Sequence, residues 1–191
     1  MKIDFVSDVS CPWCAIGLSA LEQALARVGP EIQATLHFQP FELNPQMAAQ
    51  GQDITEHLAQ KYGIDAAQIA ANTEAIRQRG AAVGFEFGIG KRSRIYNTFD
   101  AHRLLHWAGL QGGGPQRALK HALLKAYFTD GLNPSDAGVL LLRPAPPGCT
   151  PTPPRRCWPV TSSAPRCAKP RPSTSSKAST RCRPSSSTTG I

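Results

Sequence analysis

Residues 2–28 read KIDFVSDVSCPWCAIGLSALEQALARV, and this segment carries most of the information about the fold. Its first part, residues 3–6, is short and mostly apolar, which predicts a strand. After the motif Cys11-Pro12-Trp13-Cys14, apolar residues recur every three or four positions as far as Val28, which predicts a helix that Gly29-Pro30 ends. The segment therefore predicts a strand, a turn that contains two cysteines, and a helix.

A second strand is predicted directly after this helix. Between Ile32 and Phe38, apolar residues occupy every second position, which is the period of a strand with one buried face. A strand, a helix and another strand within about forty residues form a βαβ unit whose strands are parallel. The predicted fold class is therefore α/β.

The next ninety or so residues are predicted to be mostly helical, because they contain helix-capping patterns and apolar residues at helical spacing. Residues 53–62 and 65–79 each begin with Asp followed three positions later by Glu or Gln, the pattern of a capping box. Residues 98–108 and 115–127 carry apolar side chains along one face. Residues 133–136 resemble the opening of another helix, which the following residues are not expected to continue.

The net charge of +8 comes from the C-terminal segment. Residues 1–136 contain 12 Lys or Arg and 13 Asp or Glu, whereas residues 137–191 contain 9 Lys or Arg and no acid. The second segment also holds 11 of the 17 prolines and four of the six cysteines. Such a composition cannot offset the entropy of ordering, so residues 137–191 are predicted to be disordered. The charge is therefore no evidence for specific nucleic-acid binding.

The sequence gives no sign of a membrane protein. No apolar run approaches the roughly eighteen residues of a membrane-spanning helix. Asp4 and Asp8 interrupt what would be the apolar part of a signal peptide. We therefore expect a cytoplasmic protein without a membrane partner.

The two cysteines of the motif have the spacing of a redox-active pair. Cys11 would lie at the N-terminus of the predicted helix, where unpaired amides and the helix dipole stabilise a thiolate. Cys14, one turn later, could attack a mixed disulfide formed at Cys11. This chemistry needs neither a metal nor an organic cofactor.

Two other uses of the cysteines are less favoured. His102 and His106, four positions apart, could complete a Cys₂His₂ zinc site with Cys11 and Cys14, but zinc sites normally bring the histidines much nearer in sequence. We instead expect His106 among apolar neighbours and His102 partly solvated. A purely structural disulfide is uncommon in a cytoplasmic protein.

Several motifs together resemble the DsbA-like thioredoxin superfamily, and within it the FrnE-like branch of cytoplasmic dithiol-disulfide oxidoreductases and isomerases. They are residues 4–8 with the Cys-Pro-Trp-Cys motif and Gly17, Phe41-Glu42-Leu43-Asn44-Pro45, residues 97–105, and Ala126-Tyr127-Phe128. The resemblance covers residues 2–136. It implies a thioredoxin-like fold with an inserted helical domain.

The resemblance also implies domains and roles. Residues 1–45 would form the N-terminal thioredoxin-like part and residues 46–136 the helical insertion. Cys11 would be the nucleophile and Cys14 the resolving thiol, while Pro12 and Trp13 would tune the redox potential. Substrates would be proteins with thiols or disulfides, or small thiols such as glutathione.

Two alternative functions remain open. Relatives in the 2-hydroxychromene-2-carboxylate isomerase and kappa glutathione transferase branch have a similar fold, but they typically carry serine at the position of Cys11. A glutathione-dependent isomerase or transferase is therefore the first alternative. The second is a non-enzymatic remnant whose basic tail binds polyanions nonspecifically.

Residues 137–191 do not match the rest of the family pattern, which needs a cis-proline loop and further strands. Their Arg, Pro, Ser, Thr, Ala and Cys without acids are typical of a GC-rich gene read in the wrong frame. Moved back by one base, residues 182–189 admit the reading Val-Pro-Ser-Phe-Ile-Ile-Asp-Asp, a proline followed by a strand. We therefore predict a frameshift, the absence of the C-terminal part of the sheet, and impaired activity.

Overall fold

The computed structural model describes residues 1–141. Two short irregular turns, a 3₁₀ turn at Gly29–Glu31 and a π-helical turn at Lys125–Thr129, accompany the regular elements. These elements are, in chain order, β1 (Lys2–Ser7), α1 (Pro12–Val28), β2 (Thr35–Pro40), β3 (Gln52–Asp53), α2 (Ile54–Tyr62), α3 (Ala66–Ala82), β4 (Arg94–Ile95), α4 (Phe99–Leu110), α5 (Gly113–Leu124) and α6 (Ala137–Leu141).

The predicted βαβ unit is present. β1 and β2 pair in parallel from Lys2 opposite Thr35 to Ser7 opposite Pro40, and α1 connects them. β2 begins three residues after Ile32, where the sequence pattern started. The ladder begins with Lys2 opposite Thr35; ahead of it the Met1 amino group donates to the Gln33 carbonyl at 2.6 Å, while Ile32 remains 42% exposed.

The predicted helix starts at Asp53 and Asp65 are confirmed. The Asp53 carboxylate accepts hydrogen bonds from the amides of Thr55 and Glu56. Asp65 and Gln68 form a complete capping box, in which each side chain bonds the other residue's backbone. These caps satisfy amides that the first turn leaves unpaired.

Several predicted helix bounds were wrong, including the far end of α5, which is at Leu124 and not at Tyr127. α3 continues through Gly80 to Ala82, because this glycine serves close packing: a Cβ there would collide with the Phe87 ring. α4 runs two residues beyond Ala108. α5 begins at Gly113, ahead of Pro115, because the positive φ of Gly112 lets the chain turn directly from α4 into α5.

The core joins the two sides of the boundary predicted at residues 45/46. One buried cluster combines Ala15, Leu18, Leu36 and Phe38 with Leu124, Tyr127 and Phe128. The Gln116 amide of α5 adds a direct link to β2, because it both accepts from the Phe38 amide and donates to the Phe38 carbonyl, each at 3.0 Å. Helix α5 and the π-helical turn after it therefore pack directly on the βαβ unit that contains the motif.

Helix α6 corrects the expectation that residues after Asp136 form no helix. The Asp136 carboxylate accepts from the amides of Gly138 and Val139, and Leu140 is 6% exposed in a cluster with α4 and α5. Regular structure therefore extends at least five residues into the segment predicted to be disordered. Residues 142–191, with the predicted frameshift and the missing cis-proline loop, lie outside the described part of the chain.

Across residues 1–141, no helix is both long and apolar enough to cross a membrane.

Candidate active site

The Cys-Pro-Trp-Cys motif lies at the turn from β1 into α1, as predicted. Cys11 is the N-cap residue in an extended conformation, and Pro12 occupies the start of the helix, where its missing amide hydrogen costs nothing. The Cys14 amide donates to the Cys11 carbonyl at 3.1 Å, which fixes the first turn. Both thiols are free and half-buried, while Trp13 is 52% exposed beside them.

The two thiols differ strongly in acidity. A hydrogen bond from the Cys14 thiol, helped by the amides of Cys14 and Trp13, lowers the pKa of Cys11 to about 6, against the opposing effects of burial and of Asp8. The same hydrogen bond and burial raise the pKa of Cys14. The arrangement therefore makes Cys11 the thiolate near neutral pH and keeps Cys14 protonated until Cys11 has reacted.

Asp8 is buried behind the motif, and its carboxylate contacts three parts of the chain. Its carboxylate, 0% exposed, accepts from the amides of Ser10 at 3.2 Å and Leu43 at 2.7 Å. It also contacts Nε2 of His102 at 3.3 Å. These three contacts join the turn before α1, the loop after β2, and α4.

His102 corrects the expectation of a partly solvated side chain. It is 2% exposed, because the face of α4 that carries it packs over Asp8. The contact with Asp8 uses Nε2 of the ring. Among residues 1–141, no three His, Cys, Asp or Glu side chains are grouped to hold a metal ion.

Asp8 should make the stability of the protein depend on acid pH. Burial acts to raise its pKa, but the contacts with His102, Leu43 and Ser10 outweigh burial and lower the pKa below 3.8. The stabilisation from the carboxylate is therefore present above pH 4 or so and is lost as the pH falls through the lower value of the folded state. Asp8→Asn should cost about 2–4 kcal/mol at pH 7.

Urea unfolding at pH 7 and pH 3 tests this. The wild type should lose more stability between the two pH values than Asp8→Asn does. Asp130→Asn, which removes an exposed partner of Lys125, is the control and should change stability by less than about 1 kcal/mol. Equal pH dependence in the wild type and Asp8→Asn would contradict the role of Asp8.

Lys120 is the main feature that the sequence analysis missed. Its side chain is 0% exposed, and its Nζ atom has no hydrogen-bond partner within the described residues. Burial lowers the pKa of this ammonium group to about 8, although the charges of Cys14, Asp8 and Cys11 act to raise it. The spacing of Lys120 from Gln116 and Leu124, four positions on either side, could have placed it on the buried face of α5.

Arg79 was also missed. Its guanidinium lies 6.0 Å from the centroid of the Trp13 ring, a cation–π distance. α3 therefore contacts the exposed residue of the motif. The pattern of α3 gave no signal for this contact, because it depends on how α3 packs against α1.

A βαβ unit with two cysteines at the start of its helix defines a thioredoxin-like protein. The chain belongs to the DSBA-like thioredoxin domain family, which it matches over residues 2–143. The family match confirms the predicted DsbA-like family and thioredoxin-like α/β fold, and it extends past the boundary predicted at residue 136.

One solved structure supports the family match. The chain is similar to a probable DsbA oxidoreductase from Streptomyces coelicolor, with 31% sequence identity and a TM-score of 0.67 over 74% of this chain and 60% of that one. The chain thus spans 60% of the length of that relative. A weaker likeness is to the cytosolic disulfide reductase DsbM from Pseudomonas aeruginosa with GSH, with 16% identity, a TM-score of 0.49, and coverage of 74% and 62%. No curated protein matches the chain.

Proposed function

We propose that the protein is a cytoplasmic thiol-disulfide oxidoreductase or isomerase that acts through Cys11 and Cys14. The observation that carries this proposal is the placement of the two thiols, with Cys11 at the N-cap of α1 and Cys14 in its first turn, which lowers the pKa of Cys11 to about 6 and raises that of Cys14. At pH 7 about nine-tenths of Cys11 is then thiolate, the form that attacks disulfides. Membership in the DsbA-like family supports the same reaction class.

The reaction has two balanced steps. The Cys11 thiolate attacks one sulfur of a substrate disulfide, the substrate S–S bond breaks, and the other substrate sulfur leaves as a thiolate. Cys14 then loses its proton to solvent and attacks the Cys11 sulfur. The bond between Cys11 and the remaining substrate sulfur breaks, this sulfur leaves as a thiolate, and a Cys11–Cys14 disulfide forms. The substrate gains two electrons, and the two cysteines lose them.

Pro12 and Trp13 are proposed to tune this pair. Pro12 begins the helix, and the amides of the next two residues, Trp13 and Cys14, bond to the Cys11 sulfur. These contacts stabilise the thiolate and therefore the reduced form, which makes the disulfide form more oxidising. Trp13, exposed and held by Arg79, provides an apolar surface for a substrate chain beside the sulfur.

The substrates proposed are disulfides and thiols of proteins, or small thiols such as glutathione. No metal or organic cofactor takes part in the two steps. A glutathione-dependent isomerase or transferase would use the same surface without cycling the cysteines, so dithiol turnover distinguishes it from the proposed function.

Alkylation of the reduced protein tests the proposal. Because Cys11 has a pKa near 6, its reaction with iodoacetamide should be half-maximal at about pH 6, while Cys14 should remain largely unmodified at pH 7. Mass spectrometry of the peptides separates these two cysteines from the four after residue 141.

The unfolded protein in urea is the control. There both cysteines should react alike, with the ordinary thiol pKa. Equal and slow alkylation of Cys11 and Cys14 in the folded protein at pH 7 would overturn the assignment of Cys11 as the nucleophile.

A further inference from the structure

Lys120 is a buried cation that the two reaction steps do not use. Lysine is almost never fully buried without a partner, because an unpaired ammonium group loses its hydration. Yet Lys120 is 0% exposed, and its Nζ has no hydrogen-bond partner within residues 1–141. A hydrophobic residue of similar length would fit α5 at a lower cost in stability. The charge itself therefore calls for a functional explanation.

The surroundings of Lys120 point to the dithiol. Lys120 lines a small recess together with Ser7 of β1 and with His102 and His106 of α4. The titratable groups close enough to act on its charge are Cys14, Asp8 and Cys11.

Of these groups, Asp8 already has partners. Its carboxylate accepts two amide hydrogen bonds and contacts His102. The Cys14 sulfur, by contrast, accepts from the backbone amide of Asp8, while burial opposes the ionisation of its thiol. A thiolate on Cys14 would therefore need a positive group nearby, and Lys120 is that group.

We propose that Lys120 is the buried counter-charge of the dithiol: its ammonium group stabilises the Cys14 thiolate that must form before the mixed disulfide at Cys11 is resolved. This inference rests on the proposed function. Lys120 acts through Cys14 and does not touch the substrate. The positive charge of Lys120 accordingly lowers the pKa of Cys14, in opposition to burial and to the hydrogen bond with Cys11.

Ellman's reagent separates the two reaction steps. Cys11 attacks the reagent and releases one coloured thiol, and Cys14 then attacks the mixed disulfide and releases a second. The second phase is intramolecular, so its rate does not depend on the reagent concentration. The experiment uses the full chain with Cys149, Cys157, Cys167 and Cys182 changed to serine, so that only the motif reacts.

Lys120→Met should slow the second phase by at least about threefold. If the pKa of Cys14 rises by one unit, its thiolate fraction falls tenfold, while the greater nucleophilicity of the more basic thiolate restores roughly threefold. The first phase should change much less, because Cys11 takes its acidity mainly from Cys14 and the helix amides. Removing the unpaired buried charge should leave the unfolding midpoint unchanged or higher.

The pH profile of the second phase distinguishes charge from packing. Since the pKa of Lys120 is about 8, the wild-type rate should level off as the pH passes 8 and the ammonium group is lost. Lys120→Arg keeps its charge, so its rate should continue to rise through pH 9. Lys120→Met should show a slower rate that rises without an inflection near pH 8.

Lys125→Met is the matched control, because Lys125 follows α5 but is 65% exposed and pairs with Asp130. It should leave both phases unchanged. If the wild type shows both phases and Lys120→Met keeps the wild-type second phase and pH profile, the inference is wrong while the proposed function stands. If the wild type shows no rapid first phase at pH 7, the proposed function itself fails.

Discussion

Cys11→Ser is expected to abolish disulfide exchange, with no reduction of insulin above the rate with dithiothreitol alone. A serine hydroxyl stays protonated at neutral pH where the Cys11 thiol, with its pKa of about 6, is ionised, so the first bond cannot form. Cys14 is a poor replacement for the nucleophile, because its thiol is half-buried and burial still raises its pKa once the hydrogen bond with the Cys11 thiol is gone. The measurement is insulin precipitation with dithiothreitol as reductant.

Cys14→Ser provides the informative comparison. Cys11 can still attack, but nothing resolves the mixed disulfide, so this variant should accumulate a covalent adduct with its substrate. The adduct should be visible on non-reducing gels and should disappear on reduction. Turnover by Cys11→Ser at more than a small fraction of the wild-type rate would contradict the assigned roles.

The βαβ unit and the motif were predictable because their signals are local. Period-two alternation before Phe38 and the helical period after Cys14 each lie within one element. The first is confirmed by β2 and its parallel pairing with β1, the second by α1. The caps at Asp53 and Asp65 are equally local, since each bond spans two or three residues. The position of Cys11 at the start of α1 follows directly from these two signals.

The buried residues behind the motif, Lys120 and His102, could not be predicted from local patterns. Lys120 and His102 lie far from the motif in sequence and reach it only because α4 and α5 pack on β2. Gly80 was interpreted as a helix stop, although its conformation is helical and its small size accommodates Phe87. In each case the local pattern predicts one role for the residue, and its tertiary contacts give it another.

The boundary predicted at Asp136 shows a related difficulty. Composition is an average over a long segment. The absence of acids and the many prolines of residues 137–191 therefore hid the fact that the first five of them, Ala137–Leu141, form a helix. The cap at Asp136 and the burial of Leu140 show that α6 packs with α4 and α5. Because the family match also extends to residue 143, the proposed change of reading frame is best placed after that residue.

Restoring the alternative reading frame after residue 143 is expected to raise both stability and turnover on protein substrates. Within the described residues, β1 pairs only with β2, and Val6 on β1 is 62% exposed. A two-stranded sheet of this kind is marginal, and a further strand would cover its open edge. Several kcal/mol from the added pairing and burial would raise the melting midpoint by roughly 5–15 °C, at about 2–4 °C for each kcal/mol.

Turnover should rise by about tenfold or more in insulin reduction, because the restored loop would align a substrate disulfide with the Cys11 sulfur. The alkylation profile of Cys11 should change little, since its acidity comes from Cys14 and the amides at the start of α1. This difference separates a loss of substrate alignment from a loss of thiol acidity. If the chain as written melts as cooperatively as the restored chain and reduces insulin as fast, then residues 144–191 are not the product of a damaging frameshift.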